Sequence, residues 1–386
     1  MRIQQRSDFY YIEIILGVAL GTGHLTLLRF LGKVGFSEIL FLFIMCFFLK
    51  KYLNKVFSFK RDWESISRAY ILVSIFIVAP FATLVVNFTS LSFSSSPVHM
   101  ISFSMSVFIA FSLIQARDQG FRMENTTFWF FITFSICSII TLYIHPIENV
   151  RFDGYRYTGG AKNPNQIVYY AQSLMLLLVV FFRRMALIFI PILIFLTLKT
   201  ESDAFMLSIV AACVFYIFLK LFYIKRYSIP SNVFIYIIPV LFIAFCILYN
   251  YQDEIVTIWN NAGGVARGGL YLNAIEVIKS SPLFGFGFGT FSGKTVPFEG
   301  TEAHSNILDL AIQFGVLFSA LIYYILFKAI SISIKKGELI IASFMLAYIM
   351  TGFFHYTARH FMFWIEFSIF YYYVFYQSKG FLNEKR

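Results

Sequence analysis

Apolar runs of about 20 residues recur from one end of the chain to the other, separated by short polar segments. A helix needs about 20 apolar residues to cross the hydrocarbon core of a bilayer, so each run predicts a spanning helix. Twelve are read, at 10–30, 35–49, 67–88, 98–116, 126–145, 165–182, 185–199, 204–222, 230–249, 305–327, 338–356 and 361–377. Several are short for a span, which predicts tilt or breakage. Gly17, Gly21 and Gly23 are expected to loosen the first. The fold expected from the pattern is an all-α polytopic membrane protein with about twelve transmembrane helices. It falls into three blocks: 1–249 with nine helices and a short loop at 146–164, a large loop at 250–304, and 305–386 with three helices and a tail.

Composition agrees with the pattern. The 386 residues are 59% hydrophobic and 13% charged, against roughly 45–50% and about 25% in an ordinary globular domain. A soluble enzyme, a secreted disulfide scaffold and a disordered regulator are excluded. The four cysteines, Cys46, Cys137, Cys213 and Cys246, lie inside apolar runs without metal-site spacing.

Charge supplies the orientation. Of 31 Lys and Arg residues, 21 fall at alternate ends of the runs, from Arg2 and Arg6 to Lys379, Lys385 and Arg386. By the positive-inside rule that side is cytoplasmic, and both termini lie there. The net charge of +11 is thereby explained without nucleic acid. Arg2 to Arg6 lead straight into a retained first span, so no cleavable signal peptide is expected. A loop as long as 250–304 is usually functional. Leu270, Ala274, Val277 and Ile278 predict a helix within it, stopped at Ser281-Pro282.

The cation-poor outer side holds the candidate chemistry. Its first loop carries Arg151 and Arg156, then Gly159, and ends Asn163-Pro164-Asn165. Asn163 can cap the following helix with Pro164 in its first turn, and free amides there would suit an anion. The large loop carries Arg267-Gly268-Gly269 and the alternating Gly285, Gly287 and Gly289, which would let backbone approach a ligand or act as a hinge. It ends Glu302-Ala303-His304-Ser305, with His304 expected at the top of the tenth span. Histidine and glutamate are suited to proton transfer. Asp309, Glu366 and Glu13 lie inside spans, where acids usually face an interior; a structural role, pairing with a loop arginine, is the expectation for Asp309. Arg359-His360 forms the last outer turn, and Glu201-Ser202-Asp203 a short one after Lys199. Arginine forks bind phosphate oxygens in bidentate fashion. Arginines around a membrane-level cavity therefore fit a lipid-linked diphosphate, with no acidic metal-binding motif in view.

At these residues the chain resembles the bacterial O-antigen polymerase and O-antigen ligase superfamily. The resemblance spans the whole layout and three motifs: Arg156-x2-Gly159-x3-Asn163-Pro164-Asn165, Arg267-Gly268 followed by Ser281-Pro282-Leu283-Phe284-Gly285-Phe286-Gly287, and His304-Ser305 followed by Gly315. It implies a GT-C-like, metal-independent, inverting glycosyltransferase of the bacterial inner membrane. The site would face the periplasm and need no cofactor. The donor would be a glycan on undecaprenyl diphosphate, with membrane lipid and a chain-length regulator protein as further partners and no nucleic acid. Carried over, Arg156 and Arg267 bind the diphosphate and His304 acts on the acceptor hydroxyl; Arg151, Arg359 and Glu302 are secondary candidates. Two departures stand out. Thr200-Glu201-Ser202-Asp203 occupies a stretch where many relatives have Ser-Arg, and Phe318 stands where the ligase type has Gly, Thr or Tyr. The Asn-Pro-Asn signature leans toward polymerases. Repeat-unit polymerase is the first expectation, ligase the second, and a flippase or transporter the alternative of another class.

Overall fold

The computed structural model describes residues 2–25, 29–31, 34–57, 97–117, 119–143, 152–153, 156–161, 163–224, 264–286 and 302–375. Within them the chain forms twelve α-helices: α1 (Arg2–Thr22), α2 (Phe36–Phe57), α3 (Pro97–Arg117), α4 (Met123–Tyr143), α5 (Pro164–Phe181), α6 (Arg183–Leu198), α7 (Asp203–Ile224), α8 (Gly264–Ser280), α9 (Asn306–Phe314), α10 (Val316–Lys335), α11 (Leu339–Phe354) and α12 (Phe361–Phe375). Two small antiparallel pairings join β1 (Arg29–Leu31) to β2 (Val34–Gly35) and β3 (Phe152–Asp153) to β4 (Arg156–Tyr157). The runs read at 67–88 and 230–249 lie outside the described residues, as do Arg151, Gly287 and Gly289.

This is a helical, membrane-embedded protein. Among the described residues, four helices are long and apolar enough to cross a membrane: Met123–Leu142, Pro164–Phe181, Asp203–Phe222 and Val316–Lys335. Their exposures differ instructively. Fifteen of the eighteen residues of α5 are buried, as expected of a helix apolar on every face and surrounded by others. It packs against α4, α6, α11 and α12 and forms the axis of the bundle. The apolar side chains Met206, Leu207, Val210, Val214, Ile217 and Leu221 of α7 are exposed instead, the expected face toward lipid acyl chains.

Two expectations are corrected here. The glycines of α1 tighten that helix against its neighbour. A Cβ on Gly17 would lie 2.6 Å from the Thr126 carbonyl oxygen, and one on Gly21 would lie 2.5 Å from Thr133 Cβ. Small residues four apart let two helix backbones approach closely, and α1 packs extensively along α4. The tenth run is also broken. Gly315 adopts φ +89 and separates the nine-residue α9 from α10. Asp309 therefore precedes the Val316–Lys335 span, and His304 lies ahead of the helix, with Ser305 at its N-cap.

Gly315 and Gly285 explain each other. A Cβ on Gly315 would meet the Leu283 carbonyl, and one on Gly285 (φ +67) would lie 2.6 Å from the Gln313 oxygen. The Phe286 N–H donates to the Ile312 carbonyl at 2.7 Å, and the Val316 N–H to the Pro282 carbonyl at 2.8 Å. The Ser281–Phe286 segment thus seals the α9–α10 break. The close approach that Gly285 permits is to protein backbone, which corrects its reading as a ligand-facing or hinge glycine. The helix predicted around Leu270, Ala274 and Val277 is α8; it buries those side chains and ends at Ser280, before Ser281-Pro282.

Candidate functional site

The connection before α5 and the connection after α11 meet at one end of the bundle. Tyr169, in the second turn of α5, packs its ring 5.4 Å from His355 and 5.6 Å from His360, centroid to centroid. The β4 strand leading into α5 is tied to the α6–α7 turn, where the Tyr157 N–H donates to the Lys199 carbonyl at 2.9 Å. On the other side, the Tyr271 hydroxyl of α8 reaches the Phe353 carbonyl at the end of α11, at 3.3 Å. Arg267 lies one turn before Tyr271 on α8. The backbones bearing Arg156, Arg267, His304 and Arg359 therefore gather at the same end.

Arg156 is half-buried and anchored by neutral groups. Its Nε donates to the Thr200 carbonyl at 2.8 Å and its Nη2 to the Glu201 carbonyl at 3.3 Å. Glu201 holds φ +50 to present that carbonyl, a left-handed backbone that costs a non-glycine residue free energy. Both of these partners are neutral carbonyls, which orient the guanidinium without neutralising it. The turn at Glu201–Asp203 expected after Lys199 is present, and its role is to hold this guanidinium.

Asn163 caps α5 as expected. Its Oδ1 accepts the Asn165 N–H at 2.8 Å, and its carbonyl accepts the Gln166 N–H at 2.9 Å. Pro164 has no amide hydrogen to offer. The amides of this first turn are thus used internally, which corrects the expectation that the helix end is open to an anion. Gly159 (φ +60) lets the preceding turn lie against Ile167, where a Cβ would collide with Cδ1. Gly159, Asn163 and Asn165 shape the entry to α5.

The second cluster is built around an ion pair. Arg359 Nη1 lies 2.6 Å from both Oε1 and Oε2 of Glu302, and Glu302 Oε2 lies 4.0 Å from His304 Nδ1. Both turns of the pair are pinned by one helix. Asp309 accepts the Ala303 N–H at 3.0 Å and the Ser305 N–H at 2.9 Å, holding His304 between them at φ +55 with its side chain half exposed. Asn306 donates to the Thr357 hydroxyl at 2.6 Å and accepts the Ala358 N–H at 2.8 Å, fixing the turn that carries Arg359. Burial pushes the Asp309 carboxyl up to about 7, against the pull of the two amides. Its hydrogen-bonding partners are those amides, which gives it a structural role and corrects the expected pairing with an arginine. Glu13 likewise accepts from the Arg122 N–H and the Asn125 side-chain amide, and Glu366 is fully buried beside Ser173 and Tyr348.

Several contributors were not legible in the motifs. Asn306 joins the two turns across 51 residues of sequence. Gln313 accepts the Tyr356 hydroxyl at 2.7 Å, and Tyr169 meets two histidines. The available signal was polarity inside an apolar helix: Asn306 and Gln313 interrupt α9 and are buried there. The whole arrangement offers one guanidinium held by two carbonyls, one guanidinium paired to a carboxylate, and a histidine beside that pair. No protein-family model and no curated protein matches the chain.

Proposed function

We propose that this protein is a polysaccharide polymerase of the O-antigen type. It transfers a glycan from undecaprenyl diphosphate to the non-reducing end of another lipid-linked repeat unit, at the periplasmic face of the bacterial inner membrane. The observation that carries the reading is Arg156, a guanidinium oriented by two neutral carbonyls at the end of the bundle where the outer turns meet. A membrane-embedded bundle makes a lipid-borne anion the natural ligand, and diphosphate becomes a good leaving group once its charge is neutralised. Arg267 completes the diphosphate grip from α8. His304, beside the Glu302 carboxylate, takes the proton of the acceptor hydroxyl as oxygen attacks the anomeric carbon and the diphosphate departs with the bonding electrons. Inversion follows from a single displacement.

Deletion of the gene, read as surface glycolipid on a gel, tests this directly. Lipid A core capped by one repeat unit is the expected result. Uncapped core, with long polymer left on the lipid carrier, identifies a ligase instead; single repeats trapped on the cytoplasmic leaflet identify a flippase. Transfer by the purified protein is expected to continue in chelator. Loss of activity that Mg²⁺ or Mn²⁺ restores overturns the metal-independent reading.

A further inference from the structure

We infer that the Glu302–Arg359 pair is an exchange switch: the diphosphate of the donor displaces Glu302 from Arg359, and the released carboxylate engages His304. This rests on the diphosphate reading above and adds how the base is turned on. Three observations support it. Glu302 is the counter-ion of Arg359 through two contacts of 2.6 Å, and carboxylate and phosphate compete for the same guanidinium fork. His304 Nδ1 stands 4.0 Å from Glu302 Oε2, beyond a hydrogen bond and within a small side-chain rotation of one. Both turns are pinned to the same helix, by Asp309 and by Asn306, so the exchange moves side chains while the backbone stays.

The chemistry balances. A donor anchored at Arg156 presents more negative charge to Arg359 than one carboxylate does, and the paired guanidinium changes partner. Glu302 then accepts the His304 Nδ1 proton in a hydrogen bond, which orients the ring and leaves Nε2 to take the acceptor hydroxyl proton, the logic of a base held by a third group. The acceptor oxygen–carbon bond forms and the carbon–diphosphate oxygen bond breaks. The protonated His304 later returns its proton to water. Without donor, Arg359 holds Glu302 beyond hydrogen-bond distance of His304.

The test is binding of farnesyl diphosphate, a short soluble polyprenyl diphosphate, to the full-length protein in detergent. Glu302→Gln frees Arg359 and is expected to tighten binding about fivefold, the equivalent of losing one partly exposed ion pair, while lowering transfer by no more than His304→Ala does. In an Arg359→Ala background the same change is expected to have no effect on binding, the signature of a coupled pair. Unchanged or weaker binding by Glu302→Gln overturns the switch, as does a gain that persists without Arg359. The melting temperature of Glu302→Gln in detergent, expected at the wild-type value, serves as the folding control. These outcomes separate from failure of the underlying reading. If wild type and Arg156→Ala bind equally, or neither binds, the diphosphate assignment falls and the switch falls with it.

Discussion

Two arginines at the same end of the bundle are held in opposite ways. Arg156 is oriented by the carbonyls of Thr200 and Glu201, which fix geometry and leave its charge intact. Arg359 is met by the Glu302 carboxylate, which fixes geometry and cancels charge. A guanidinium fork has the same shape in both cases, so shape alone does not separate a binding residue from a structural one. What the partner does to the charge separates them. Backbone strain marks both anchor points: Glu201 (φ 50) and His304 (φ 55) are the two non-glycine residues with positive φ among the described residues. Such conformations persist where surrounding structure over-determines them, and they cluster at functional sites.

The sharpest way to break the contrast is Arg156→Ala. It is expected to lower transfer at least about 100-fold, the order of losing a preorganised charge at a departing anion. Inserted protein is expected to remain at wild-type level in membrane fractions. Arg156→Lys is expected to rescue poorly, since a point charge cannot satisfy both carbonyls and a phosphate. Normal glycan chains in both variants would remove Arg156 from the site.

His304→Ala probes the other side of the contrast. Turnover is expected to fall about 100-fold, in the range of general-base loss, while farnesyl diphosphate binding holds. A fall in binding with little change in turnover would make His304 a ligand to the donor. Arg359→Ala is expected to lower transfer about tenfold, less than Arg156→Ala because part of its charge is already spent on Glu302. An effect equal to that of Arg156→Ala would erase the difference between the two arginines. The smallest effect is expected from Glu201→Gly, which relieves the left-handed backbone and raises stability by up to about 1 kcal/mol. A lower melting temperature in detergent would show that the Glu201 side chain, and not its carbonyl alone, supports the turn.

Local rules carried some details well and others badly. Asn163-Pro164 was readable as a helix start because capping needs only three residues of one chain. The openness of that start was not readable, because it depends on how Asn163 spends both its oxygens. Gly17 and Gly21 looked like loose points in a span and are instead the contact line with α4, since a missing Cβ gains meaning only from the neighbour that fills its space. The run from Ser305 onward read as one continuous helix because apolar residues dominate it despite Asn306, Asp309 and Gln313. Gly315 breaks it through backbone contact with Leu283, which no periodicity records.

The sequence by itself determined that the chain lives in a membrane, where most of its helices lie and which few loops carry polar chemistry. Hydropathy acts residue by residue, so the solvent is written into the composition. Only the tertiary structure decided which charges are cancelled. Arg359 and Glu302 are 57 residues apart, and Arg156 reaches its carbonyls across 44 and 45. Electrostatic pairing depends on distance through space, and that distance exists only once the helices have packed.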